Sequence, residues 1–217
     1  MNIFITATDT DVGKTYVSRG IVKELSKRGK KTGYFKPFQS GVIPNVLSDV
    51  ENVLLSLQNN DNIHTKNSYI TKTPCTPSVS AEIDGIEIDI NEVLSDYKRL
   101  KETCEIVITE GSGGLLVPIN STMLISDAIK ALDLPVIIVA RPNLGTINHT
   151  LLTINALREM NISILGVVIS NYPKNAKDPA ITTAPALIEK FGKVSVIDII
   201  EQNSTNFKKV VDTILSQ

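Results

Sequence analysis

Lys14, Lys36, the Thr15 hydroxyl and the Glu110 carboxylate are the side chains whose types and spacing point to chemistry on a phosphoanion. Lys14 lies in Ala7-Thr8-Asp9-Thr10-Asp11-Val12-Gly13-Lys14-Thr15, after the apolar run Ile3-Phe4-Ile5 and ahead of a stretch with helical spacing. A triphosphate needs many convergent donors. The backbone N–H groups of a loop at a helix N-terminus supply them, and the helix dipole adds favourable potential. Asp9, Thr10, Asp11, Val12, Gly13, Lys14 and Thr15 are therefore the expected phosphate-binding residues. Gly13 would admit the backbone close to the phosphates, Lys14 would reach the β and γ phosphates, and the Thr15 hydroxyl would ligate Mg²⁺. The usual first glycine of such a loop is here Ala7, and five residues instead of four separate it from Gly13.

A second carboxylate for the Mg²⁺ side is expected at the end of a neighbouring strand. Ile106-Val107-Ile108-Thr109-Glu110 delivers Glu110 there, and ligands of open α/β sheets bind at that edge. Gly111, Ser112, Gly113 and Gly114 follow, leaving room for a substrate and exposing backbone N–H groups. Lys36 ends the run Gly33-Tyr34-Phe35 and is followed by Pro37-Phe38-Gln39-Ser40-Gly41. A lysine at the end of a buried strand is costly unless an anion sits beside it, so Lys36 points to a bound phosphate or carboxylate. Gly145-Thr146-Ile147-Asn148 opens a helix whose free N–H groups can bind a carboxylate.

The elements that must position these residues read as alternating strands and helices. Strands are expected at residues 2–6, 31–35, 104–109, 135–140, 163–170 and 194–199. Their apolar residues run nearly continuously, as in a parallel sheet covered on both faces. Helices are expected at 14–28, 48–57, 91–101, 126–131, 146–160, 184–191 and 206–215, with Gly29 as a stop and Asn91 and Ser126 as N-caps. Residues 58–90 and 171–185 read as irregular, the first as an excursion near the ligand-binding edge. The expectation is one doubly wound α/β domain over residues 1–217, mostly parallel, of the phosphate-loop NTPase type.

Composition removes several function classes. Lys plus Arg number 22 against 23 Asp plus Glu, net −1, which gives no basis for broad attachment to nucleic acid or an acidic membrane. With 42% apolar and 21% charged residues the chain is not of disordered type. Cys75 and Cys104 are too few for a disulfide framework, and neither has a nearby His to make a catalytic thiol. No apolar run is long enough for a membrane span, and the chain starts directly as a strand without a basic leader, so a cytoplasmic location is expected. His149 reads better as a first-turn residue at a packed interface than as a general base, and His64 receives no role.

The set of motifs closely resembles the dethiobiotin synthase family. The matching pieces are Thr8 through Thr15, Lys36-Pro37 with Ser40-Gly41, Ser48-Asp49, Glu110-Gly111-Ser112-Gly113-Gly114 with Val117-Pro118, and Asn143-Leu144-Gly145-Thr146-Ile147-Asn148-His149. The resemblance implies a homodimer that converts 7,8-diaminononanoate, CO2 and MgATP into dethiobiotin, ADP and phosphate through a carbamate and a carbamic-phosphoric anhydride. It implies that Lys14 and Lys36 flank the γ-phosphate and carbamate, and that Thr15, Asp49 and Glu110 hold Mg²⁺. Thr10 and Ser40 would donate hydrogen bonds to phosphate and carbamate. Gly111 and Gly113 would line the substrate site, and residues 145–148 would reach the substrate tail across the dimer interface. Asn171 matches a position used for the adenine base. Asp11 stands where some relatives have Glu, and residues 77–80 follow the family's Ser-Pro-His stretch only loosely.

Three other readings meet counter-signals in the sequence. Septum-site and plasmid-partitioning ATPases of this fold carry a second lysine five positions before the Gly-Lys-Thr lysine, where this chain has Asp9. A nucleotide-dependent scaffold without turnover would leave Lys36 and Ser40 without a purpose. Amide-forming cobyrinate synthases append a glutamine-hydrolysing domain, for which this chain is too short.

Overall fold

The computed structural model describes residues 1–43, 48–55, 57 and 62–217. In chain order the elements are β1 (Ile3–Ala7), α1 (Lys14–Lys27), β2 (Thr32–Phe35), β3 (Phe38–Gln39), α2 (Asp49–Leu55), β4 (Ile63–Lys66), β5 (Tyr69–Ile70), α3 (Pro77–Asp84), α4 (Ile90–Thr103) and β6 (Ile106–Glu110). They continue with α5 (Ile125–Leu132), β7 (Val136–Ala140), α6 (Thr146–Glu159), β8 (Ile164–Tyr172), α7 (Pro179–Thr182), α8 (Ala184–Gly192), β9 (Val196–Glu201) and α9 (Lys208–Leu215).

Among the described residues the main sheet has seven strands in the order β4-β2-β6-β1-β7-β8-β9, every pair parallel. The chain leaves β1 through α1 to β2, and the gap between those strands is filled later by β6. The strand order thus reverses around β1, and the crevice outside the carboxyl ends of β1, β2 and β6 is where an open α/β sheet binds ligand. β1, β6 and β7 are buried along their whole length, so their side chains alternate between two covered faces. Phe4, Val107 and Ile138 join Tyr97, Ile129 and Ile154 in one core layer. Ile3, Ile5, Ile108 and Val139 join Ile21, Leu25, Val210 and Ile214 in the other.

The sheet departs from the expected pattern in the stretch expected to be irregular. Residues 63–66 form β4, an edge strand paired with β2, and 77–84 form α3. β4 reads Ile-His-Thr-Lys with only Ile63 buried, so an edge strand escaped a search for continuous apolar runs. In α3, Pro77 occupies the first turn, where a proline is tolerated, so the Pro-rich signal marked a helix start instead of a loop. Residues 58–61 of that stretch lie outside the described residues. In the second irregular stretch β8 runs on to Tyr172, taking Asn171 into the strand, and α7 follows.

Two expected caps are displaced. The Asp89 side chain, not Asn91, caps α4, accepting from the Asn91 N–H. Ser126 lies inside α5, whose start is held by the Asp127 carboxylate accepting from the Leu124 N–H at 2.7 Å. The helix expected at 48–57 is α2, and residue 56 lies outside the described residues. A reciprocal cap starts α2: Ser48 Oγ accepts from the Glu51 N–H at 3.2 Å, and Glu51 Oε2 accepts from the Ser48 N–H at 2.7 Å. That cap fixes the position of Asp49, the first residue of α2.

Candidate functional site: a phosphate loop beside a buried lysine–carboxylate cluster

Gly13 ends the loop after β1 with φ of 99°, a left-handed backbone that glycine adopts without strain. A β-carbon there would lie 2.4 Å from Ser170 Oγ and 3.1 Å from Asn171 Nδ2, so the loop's end packs directly on the end of β8. Lys14 begins α1, is 7% exposed, and donates from Nζ to the Asp9 carbonyl at 3.3 Å. Burial lowers its pKa, although Glu110 pulls in the opposite direction. Gly113 leans on the loop, a β-carbon there lying 3.6 Å from Thr10 Oγ1.

Register brings the second charge cluster together. Phe35 of β2 pairs with Thr109 of β6, so Lys36 and Glu110, one step further on, emerge side by side. Lys36 Nζ donates to Glu110 Oε1 at 2.9 Å and also to Asp49 Oδ2. Thr15 Oγ1 donates to Glu110 Oε1 at 2.7 Å, and the Tyr34 hydroxyl donates to Oε2 at 2.8 Å. Glu110 is wholly buried. Burial pushes its carboxyl up, yet Lys36 and then the Thr15 and Tyr34 hydroxyls more than offset this and hold it below the ordinary glutamate value. Burial likewise pulls Lys36 down, and Glu110 with Asp49 outweighs it, so the ammonium titrates above the usual lysine value. Lys36 and Glu110 are thus both charged at neutral pH.

The loop and the Lys36–Glu110–Asp49 cluster wall a cavity of about 750 Å³. Thr10, Asp11, Gly13, Lys14, Thr15, Lys36, Ser40, Asp49, Glu110 and Gly113 all line it. Others expected at the site are placed around it. Asp9 is exposed at the loop's crest, and Val12 is buried beneath it. Gly111 packs so closely on Phe4 that a β-carbon would approach Cε1 to 2.9 Å. Residues 145–148 start α6 but do not line the cavity of the single chain. Cavity-lining residues that the sequence did not single out include Tyr16 and Gln39, together with the loop at residues 74–76 and Pro77 at the start of α3. Exposed Cys75 sits in that loop, whereas Cys104 is buried, with its thiol pushed up by burial. His64 lies on β4, and His149 is outside the cavity.

Asp49, Glu110 and Thr15 together offer two carboxylates and a hydroxyl. Such an all-oxygen donor set suits a hard divalent cation such as Mg²⁺. The Lys36 ammonium already bridges the two carboxylates, so positive charge is accommodated between them.

A family model described as an AAA domain matches residues 1–206. The chain is 44% identical to the ATP-dependent dethiobiotin synthetase of Methanococcus vannielii, over 91% of this chain and 92% of that protein. It is 36% identical to that of Methanocaldococcus jannaschii, covering 96% and 99%, and 35% identical to that of Bacillus subtilis strain 168, covering 96% and 90%. The chain belongs to the ATP-dependent dethiobiotin synthetases. Solved structures add the fold alone. The ParA family ATPase of Chlorobium tepidum aligns with a TM-score of 0.62 at 15% identity over 98% of this chain and 97% of that one. The MinD cell division protein of Aquifex aeolicus aligns at 0.59 and 16%, over 98% and 86%. No helix among the described residues is long and apolar enough to cross a membrane.

Proposed function

We propose that this chain closes a cyclic urea on 7,8-diaminononanoate, using CO2 and ATP and releasing dethiobiotin, ADP and phosphate. The observation that carries this reading is the junction of Lys14 with the Lys36–Glu110–Asp49 cluster on one cavity wall. A phosphate loop alone suits any nucleotide hydrolase. A second buried ammonium beside it suits the transfer of a phosphoryl group to another anion.

One substrate amine attacks CO2 through its nitrogen lone pair and loses a proton, giving a carbamate. A carbamate oxygen then attacks the γ-phosphorus, the bond to the bridging oxygen breaks, and ADP departs. Finally the second amine attacks the carbamoyl carbon, the C–O bond to phosphate breaks, and phosphate leaves with the oxygen that came from CO2. Phosphoryl transfer between two anions is limited by charge repulsion and alignment, so fixed cations matter more than covalent help. The N–H groups of the loop and Lys14 hold the nucleotide phosphates, with Thr10 donating from its hydroxyl. Lys36 neutralises the carbamate as it approaches, and Ser40 orients it. Thr15, Asp49 and Glu110 would hold Mg²⁺, which when bound neutralises β and γ phosphate oxygens. Asn171, whose side chain lies beside Gly13, would contact the nucleotide base.

The same proposal includes a homodimer. Leu144 and Leu152, before and on α6, are 83% and 60% exposed, and a second copy packed there would remove these side chains from water. The N–H groups at residues 145–148 of the partner subunit would then receive the substrate carboxylate. A fully active monomer in sedimentation would contradict this arrangement.

Phosphate release from MgATP and bicarbonate is expected to rise at least about a hundredfold on adding the diamine, because the carbamate is the acceptor. Equal release without the diamine would replace this reading with a simple ATPase of the same fold.

A further inference from the structure

Tyr34 stands on β2 two residues before Lys36, which follows the strand's last residue, Phe35. Its ring belongs to the core layer formed with α1 and α9, and the residue is 0% exposed. The hydroxyl nevertheless ends on a charge, donating to Glu110 Oε2 at 2.8 Å. The other carboxylate oxygen, Oε1, takes Thr15 and Lys36. The two oxygens of Glu110 thus have separate partners: Oε2 a phenol from the core, Oε1 the groups that face the cavity. Rotation about the terminal bond of a glutamate is soft, so contacts at Oε1 alone would leave the carboxylate plane weakly defined. Glu110 is itself wholly buried, so water cannot replace the phenol.

We propose that Tyr34 is a positioning residue of the reaction, holding Glu110 by Oε2 so that Oε1 is presented to Thr15, Lys36 and the divalent cation. The inference rests on the function proposed above. Tyr34 touches neither nucleotide nor diamine and acts only through Glu110. Partners behind a metal-binding carboxylate set its orientation, and their loss typically weakens metal affinity roughly 10- to 100-fold.

Tyr34→Phe deletes one oxygen and keeps the ring. Calorimetric titration of Mg²⁺ into the ADP-saturated protein is expected to show the half-saturating Mg²⁺ raised at least about tenfold. Metal-free ADP binding and the KM for the diamine should stay unchanged. In a Glu110→Gln background the same substitution should add nothing, because its route of action has gone. An unshifted Mg²⁺ midpoint, or effects that simply multiply in the double variant, would overturn the proposal. Should the Phe variant not fold, the Tyr34 hydroxyl proton of the unmodified protein serves in its place. A slowly exchanging resonance that moves in Glu110→Gln is expected, and one indifferent to that change would overturn the proposal. An unmodified protein without diamine-dependent phosphate release refutes the reaction. An active one whose Tyr34→Phe variant ignores Mg²⁺ refutes only the role of Tyr34.

Discussion

Lys36→Ala is expected to slow phosphoryl transfer by about three orders of magnitude while leaving MgATP affinity within about threefold, since the lost cation acts on charge developing between two anions. The nucleotide keeps the loop amides and Lys14, which explains why binding survives. The variant should also be less stable. Lys36 and Glu110 are a buried pair, and removing one member of such a pair costs about 3–5 kcal/mol. Glu110 can recover part of this by taking up a proton. Its depressed pKa contributes stability above the unfolded value that is lost as pH falls through the folded one. Without Lys36, the strongest influence holding that pKa down, acid unfolding should begin at higher pH. Single-turnover rates measured where the variant is folded check the catalytic claim. An unchanged rate would remove Lys36 from the chemistry.

Lys14→Ala is expected to lower turnover by at least about a thousandfold and nucleotide affinity by about a hundredfold, because the phosphate-loop lysine neutralises the nucleotide in both ground and transition states. Its structural consequence should be the reverse of that at Lys36. Lys14 donates to a backbone carbonyl, and burial lowers its pKa, so folding works against its charged form. Removing it should leave the melting temperature unchanged or slightly raised. Calorimetric nucleotide binding and a thermal melt separate the two lysines. A Lys14→Ala protein that binds MgATP normally would contradict the loop assignment.

The central sheet was legible because β1, β6 and β7 are buried throughout and nearly continuously apolar, bounded by glycines, proline and polar residues. β4 was not, because an edge strand buries little and its His64, Thr65 and Lys66 imitate a loop. The positions of Lys14, Thr15 and Glu110 follow from short motifs at element ends, where local sequence and location in the fold coincide. Asp49 needed resemblance to a family, although the Ser48–Glu51 pair that positions it is a local capping pattern. Tyr34 went unnoticed because a tyrosine in an apolar strand reads as core, and its partner is 76 residues away. The wall at 74–77 lies in the excursion expected near the ligand-binding edge, but its individual residues could not be singled out, because proline-rich turns look alike whether they face solvent or a cavity. Residues 145–148 read as a helix start, and in the single chain they start α6 without lining the cavity.

In the proposed reaction Lys14 and Lys36 are the cations between which a carbamate oxygen displaces ADP from the γ-phosphorus. Isotope tracing tests this directly. With ¹⁸O-labelled bicarbonate and unlabelled ATP, run faster than exchange with water, the released phosphate should carry one labelled oxygen for each dethiobiotin formed. Dethiobiotin accompanied by wholly unlabelled phosphate would mean that water, not the carbamate, accepts the phosphoryl group.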